Sequence, residues 1–305
     1  MAATFFGEVM EVSSRAGLDE EDDDDDDDGE EEEEENLLNK CSWQAEAAED
    51  AEIRRGLQRK REVEVFWDLK PAAVSEGPAL KQFPCSQFIL AVGQSPVAFL
   101  SSFVLNSETW KVAGSVKLWN EWCKTTNSPN PSPTDSFCKF YCLKSDPTVF
   151  LCQCNCYVAE DQQYQWLEKV LGSLQKKDLQ ITILTTCHVT DYKTTESTLN
   201  LPSPFLKALK TKAFNGPACC PLLEQPNIVH GLPAAVLSYC QVWQIPAVLY
   251  QCYSDVMKLD PVTVEAFKPV LSSRSLKSLA KNISKSTEML KKLMTTNEIQ
   301  NNIYT

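Results

Sequence analysis

The chain has 305 residues, with 29 basic and 42 acidic side chains and a formal net charge of −13. Sixteen acidic residues and no basic one lie between Asp19 and Glu35, so the rest of the chain carries a net charge of +3. A body this close to neutral has no overall pull toward nucleic acid.

The first residues, Met1-Ala2-Ala3-Thr4-Phe5-Phe6, have no basic stretch followed by a long apolar one and run directly into acid, so a signal peptide is not expected. No run approaches the roughly eighteen apolar residues of a membrane span. Thirteen cysteines without a secretory signal point to reduced thiols, and an odd number cannot pair completely within one chain. A soluble cytoplasmic protein is the expectation, with a nuclear location or attachment to the surface of the endoplasmic reticulum as alternatives.

In chain order, residues 1–60 read as a disordered acidic segment. Asp22 to Asp28 and Glu30 to Glu35 repel one another and bring almost nothing apolar to bury. Such a run serves as a solvating tail, with partner binding as the alternative. Trp43 to Arg61 holds good helix formers and reads as a transient helix.

Residues 61–268 carry the pattern of an α/β domain. Gln87 to Gly93 is a compact apolar run ending in glycine, expected as a buried strand. Phe137 to Leu143 and Thr148 to Val158 suggest antiparallel strands turned at Ser145-Asp146-Pro147. Asn127 to Pro133, with three prolines, reads as a loop. Asp161 to Lys177 predicts a helix whose stripe is Tyr164, Leu167, Val170, Leu171 and Leu174. Asp178 to Thr185 returns as a strand.

Gly231-Leu232-Pro233 opens a helix running to Trp243, proline being tolerated in a first turn. Ile245 to Tyr250 follows as a strand, and Pro261 begins another helix. Residues 269–294 predict an amphipathic C-terminal helix. Leu276, Leu279, Ile283, Leu290 and Leu293 lie near helical spacing, and Arg274, Lys277, Lys281, Lys285, Lys291 and Lys292 form a basic face. It lacks the aromatic anchors of a membrane-surface helix, so docking on the body is expected. Residues 295–305 read as a flexible tail, reaching at most about 36–40 Å if extended.

No chemistry announces itself. Cys152-Gln153-Cys154-Asn155-Cys156 suggests metal ligation, but alternate strand residues face one side, alongside Phe150 and Val158, and small thiols commonly face a core. A structural zinc site wants four ligands; Cys219-Cys220 is a possible second contributor that the spacing does not require. No metal or other cofactor is expected. The two histidines, His188 and His230, fall at a strand end and before a helix, and no local motif marks Cys187 or Cys252 as a nucleophile. There is no Walker loop, GxGxxG or GxSxG, and only ten glycines. Gly231 at a helix start could offer amides to an anion, as any helix start does. Trp110, Trp119 and Trp122, interleaved with Lys111, Lys117 and Lys124, could stack single-stranded nucleic acid, but buried or interface tryptophans fit a neutral body better.

Several strings resemble the PAC2-like proteasome assembly chaperone family from about Lys81 onward: Pro84 to Ile89, Lys117 to Cys123, Tyr157 to Glu168, Ile228 to Leu237 with Ile245 to Val248, and the ending Ile303-Tyr304-Thr305. The resemblance implies a mixed sheet flanked by helices in three layers, similar to nucleoside-phosphorylase-like proteins without their catalysis. It implies a non-enzymatic chaperone that pairs as a heterodimer with proteasome assembly chaperone 2. That pair binds 20S proteasome α-subunits, promotes α-ring assembly, and prevents off-pathway association and premature capping. Carried over by residue, Ile303, Tyr304 and Thr305 match the family's hydrophobic-tyrosine-X ending, which enters a pocket between α-subunits. The rival reading is a degenerate α/β hydrolase or nucleoside-processing enzyme.

Overall fold

The structure is a computed structural model that describes residues 50–56, 61–69, 82–120, 123–124, 132, 135–194, 202–281 and 283–302. The chain divides into two units at Arg55/Gly56. In the first unit residues 50–55 are helical, part of a short helix (α1, residues 50–56) inside the stretch expected to be a transient helix.

Apolar runs become strands in the second unit. In chain order the elements are β1 (Glu64–Trp67), β2 (Gln87–Val92), α2 (Gln94–Phe103), β3 (Trp110–Lys117), β4 (Trp119–Asn120), β5 (Cys123–Lys124), β6 (Cys138–Leu143) and β7 (Val149–Cys154). Then come α3 (Glu160–Val170), β8 (Gln180–His188), β9 (Phe205–Lys210), α4 (Gly231–Val242), β10 (Ala247–Ser254), α5 (Pro261–Glu265) and α6 (Ile283–Asn302). Eight strands form one sheet in the order β1-β3-β6-β7-β2-β8-β10-β9, and β4 and β5 make a separate pair. The central four, β7-β2-β8-β10, are parallel; β6, β3 and β1 extend the sheet antiparallel on one side and β9 on the other.

Strand alternation sorts the core into two clusters. Phe88, Leu90, Phe150, Cys152, Ile181, Ile183 and Leu249 face one side, with Trp166 of α3 and Val236 of α4. Ile89, Ala91, Leu151, Leu184, Val248 and Tyr250 face the other, with residues of α2, α5 and α6. Side chains on successive strand residues point to opposite faces, so a strand buried on both faces reads as a continuous apolar run. That is the three-layer arrangement, helices on both faces of a mixed sheet, that the family resemblance implied.

Local signals explain the ends of the elements. Asp260 caps α5 by accepting the Thr263 amide hydrogen at 2.8 Å, and Pro261 sits in the first turn, where it costs no hydrogen bond. Gly93, at φ 96°, makes the sharp exit from β2 into α2 that a side chain would strain.

Two expectations change. The stripe of α3 is centred on Gln162, Trp166 and Val170; Leu167, Leu171 and Leu174 are buried as read, but Tyr164 is 68% exposed. At 100° per residue Tyr164 falls on the outer flank, and a 3-10 turn at Leu171–Ser173 redirects the chain so that Leu174 reaches the core. The C-terminal helix is not 269–294. A 3-10 turn spans Lys268–Ser272, turns follow, and α6 starts at Ile283. Buried serines interrupt the pattern: Ser275 bonds Thr182 at 3.0 Å and Ser273 at 3.2 Å, and the Gln87 side chain donates to its carbonyl. Serine competes in this way with helical hydrogen bonding. The helix then runs to Asn302, through most of the stretch read as a flexible tail, because adding turns to a formed helix costs little. The loop expected at Asn127 to Pro133 lies outside the described residues except for Ser132.

In its pairing with β6, β3 shifts register between Val112 and Gly114, and Gly114 lies opposite Trp67 in the β1 pairing. A Cβ on Gly114 would collide with the Phe66 carbonyl, so glycine allows the two backbones to meet. Gly114→Ala should displace β1 and lower unfolding stability by about 1–3 kcal/mol, a typical overpacking cost. Urea denaturation checks this, and an unchanged midpoint would show that β1 is not held against β3 in this register.

Candidate functional site

Beside β1, the strand's own edge, the outer flank of α3 and the end of α4 enclose a groove of about 1200 Å³. Its floor is Val63, Val65 and Trp67. Trp67 stacks on Phe140 with ring centroids 4.5 Å apart and leans on Phe83 at 4.9 Å, which fixes the strand over the core. The approach to β1 is held from α3: Gln165 accepts the Val63 amide hydrogen at 3.2 Å, and Gln162 donates to the Arg61 carbonyl at 2.9 Å. Exposed ion pairs Arg61–Asp161 and Lys169–Glu62 add little energy but set the register of α3 against the strand. Lys169 also holds the Glu62 carboxyl below its usual range.

The walls are aromatic. Tyr164 donates to Glu168 at 2.7 Å, which fixes its ring and pushes its phenol pKa up. At the end of α4, Val242 is 76% exposed and Trp243 is 54% exposed. The chain turns away there through Gln244, at φ 54°. The ammonium of Lys176 lies 3.0 Å from the Trp243 ring centroid and 5.3 Å from that of Tyr239. Burial lowers its pKa, and the ring faces supply a cation–π attraction. A concave apolar surface ringed by fixed polar groups is built to hold another polypeptide or an organic ligand.

The cysteines take a different role. Cys152, Cys154 and Cys156 are buried in the same cluster as Phe150 and Val158, the core placement read from strand alternation. Cys138 of β6, directly opposite Cys154, joins them. The sulfurs of Cys138, Cys154 and Cys156 lie within 4.8 Å of one another, a spacing that a thiophilic ion could use. Cys219 and Cys220 do not belong to that group; they pack against the opposite cluster, with Cys219 at 3.6 Å from the Tyr250 hydroxyl. Burial pushes the thiols of Cys138 and Cys152 up, as expected of apolar packing.

Neither Cys187 nor Cys252 is activated as a nucleophile. Cys187 donates to Asp191 at 3.2 Å, and burial followed by that carboxylate pushes its pKa up to about 12. His188 Nδ1 is engaged by Thr190 at 2.7 Å, and His230 precedes α4. Cys252 is buried, with its pKa also pushed up to about 12. Trp110 is buried within β3, whereas Lys111 and Lys117 face solvent, with Lys117 paired to Glu64 at 3.3 Å. The side chains of Trp119, Trp122 and Lys124 lie outside the described residues, as do Ile303, Tyr304 and Thr305. The groove itself was missed in the sequence. The pairing of Tyr239 and Trp243 at helical spacing with exposed Val242 was the signal available.

A family model described as proteasome assembly chaperone 4 matches residues 2–305. Relatives named proteasome assembly chaperone 1 are similar over the same length. The Papio anubis protein is 64% identical over 305 residues, covering 100% of both chains, and the Homo sapiens protein is 63% identical with the same coverage. The Danio rerio protein is 41% identical, covering 99% of this chain and 100% of the relative. Among solved structures, Pyrococcus furiosus PbaA, an archaeal homolog of proteasome-assembly chaperone, is 12% identical with a TM-score of 0.49, covering 78% of this chain and 94% of that one. The chain belongs to the proteasome assembly chaperone 1 family. No described helix is long and apolar enough to cross a membrane.

Because the Cys187 pKa lies near 12, its alkylation rate should still rise about tenfold per pH unit from pH 8 to pH 10, where an ordinary thiol with pKa about 8.5 levels off. Asp191→Asn should bring the rise to lower pH. Site-resolved iodoacetamide labelling measures both, and levelling off anywhere between pH 8 and pH 10 would contradict the raised pKa.

Proposed function

We propose that this chain is a non-catalytic chaperone of proteasome assembly that acts as a heterodimer with proteasome assembly chaperone 2. The pair binds 20S α-subunits, promotes closure of the α-ring and prevents off-pathway association and premature capping. The observation that carries this reading is identity of 62–64% over the full length with mammalian relatives named proteasome assembly chaperone 1. Raised thiol pKa values at Cys187 and Cys252 support a non-enzymatic role.

The second part of the proposal concerns Ile303, Tyr304 and Thr305. Ile303 fills an apolar wall of a pocket between α-subunits, Tyr304 buries its ring there, and the Thr305 carboxylate meets a basic group in a charge-assisted bond. Burial of the isoleucine is worth about 1.5–3 kcal/mol, much of it offset by ordering the tail. Such an ending binds weakly alone and gains from being tethered to a body that also touches the ring. The course of α6 to Asn302 supports this, because a helix narrows the region its following residues can search. Leu290 is buried and Leu293 packs against the core, so the first turns of α6 are anchored.

Tyr304→Ala, and separately one residue appended after Thr305, should each weaken binding to α-subunits by about tenfold or more, about 1.4 kcal/mol, while unfolding stability stays the same. Surface-based binding measurements with assembled α-rings test it. Equal affinity in all three proteins would remove the tail from the mechanism.

A further inference from the structure

The two edges of the sheet are finished differently. At β9 the chain covers its own edge: the Ala208 amide hydrogen bonds the Pro221 carbonyl at 2.8 Å, and Leu223 returns one to Ala208 at 2.7 Å. At β1 no such cover exists among the described residues. Asp68 donates its amide hydrogen to Ala113 of β3 at 2.8 Å, and antiparallel pairing alternates, so Phe66 and Glu64 also face β3. Val63, Val65 and Trp67 therefore aim their backbone groups outward. Gln165 satisfies the amide of Val63, and the next two positions have no backbone partner among the described residues at the lip of the groove. An uncovered strand edge beside apolar surface is a template for strand addition.

The charges beside this edge say what kind of strand fits. Glu62 is paired with Lys169, Glu64 with Lys117, and Glu168 accepts from Tyr164. Lys176, held over Trp243, has no carboxylate partner among the described residues. The groove thus presents two open backbone positions, an aromatic wall and one uncompensated cation.

We infer that the β1 edge and its groove receive an extended strand of the paired chaperone subunit, carrying an apolar or aromatic side chain for the groove and a carboxylate for Lys176. This rests on the heterodimer reading above and assigns it a surface. The sheet would continue across the pair, with side chains at alternate positions entering the groove and the acid meeting the ammonium over the indole.

The test uses the full chain co-expressed with proteasome assembly chaperone 2. Lys176→Glu reverses the charge and Trp243→Ser removes an exposed ring, so neither change disturbs the core. Lys258→Glu, an exposed lysine outside the groove, is the control, and thermal unfolding confirms that all variants fold. Each groove variant should raise the dissociation constant for the partner by at least about tenfold, with the control unchanged. Wild-type affinity in both groove variants would overturn the assignment and leave the heterodimer intact. Failure of the wild-type chain to bind the partner at all would overturn the heterodimer reading, and this surface with it. Self-association of the wild-type chain that both groove variants abolish would give the groove to a second copy and equally overturn the proposal.

Discussion

The whole architecture depends on burying both faces of the four parallel strands β7-β2-β8-β10. The β2 residues Phe88, Ile89, Leu90 and Ala91 are all fully buried, as are Ile181, Ile183 and Leu184 of β8. Strands of this kind cannot face water on either side, so helices must cover both. α3 and α4 cover one face, α2 and α6 the other, and α5 packs against α2 and α6. Once those faces are occupied, the sheet can grow only sideways. It does so through antiparallel strands, of which β9 is covered by residues 221–223 and β1 has no such cover among the described residues. The open edge at β1 is thus a consequence of how the core is covered.

The same constraint governs the cysteines. Strands β6 and β7 bring Cys138, Cys152 and Cys154 to the face that α3 covers, where a small apolar side chain is needed beneath Trp166 and its neighbours. A thiol meets that demand, and burial pushes the thiols of Cys138 and Cys152 up. The sulfur spacing is compatible with a soft ion, yet the position of these residues is fully explained by packing. Nearer the surface, burial and then the adjacent Asp191 carboxylate push the Cys187 thiol up to about 12.

Elements with a strong period were legible in the sequence. β2, the β6–β7 hairpin, α4 and β10 stand close to where apolar runs, turn residues and the Gly231-Leu232-Pro233 start placed them. β1 and β9 were not, because four to six residues with mixed polarity carry no signal until a neighbouring strand gives them a partner. α6 was displaced because Leu276 and Leu290 share a spacing but belong to two separate pieces, divided by buried serines whose hydrogen bonds only the folded chain reveals. The groove was illegible for a related reason. Val65, Tyr164, Lys176 and Trp243 are spread over almost the whole domain, and only the sheet order brings them together. The reverse holds at the other end of the chain, where Ile303-Tyr304-Thr305 was conspicuous as a string and lies outside the described residues.

An assembly chaperone needs firm surfaces and has no need of a reactive centre. The features that stand out here are of that kind: a rigid two-faced core, a helix that reaches Asn302, and a strand edge whose outer amides are open beside an aromatic groove. The most direct measurement is amide hydrogen exchange across residues 63–69 in the free chain and in its complex with proteasome assembly chaperone 2. The account predicts that Val65 and Trp67 exchange readily in the free chain and become slower by at least about tenfold in the complex, as amides do when they enter a sheet. Equal exchange in both states, with the complex demonstrably formed, would contradict it.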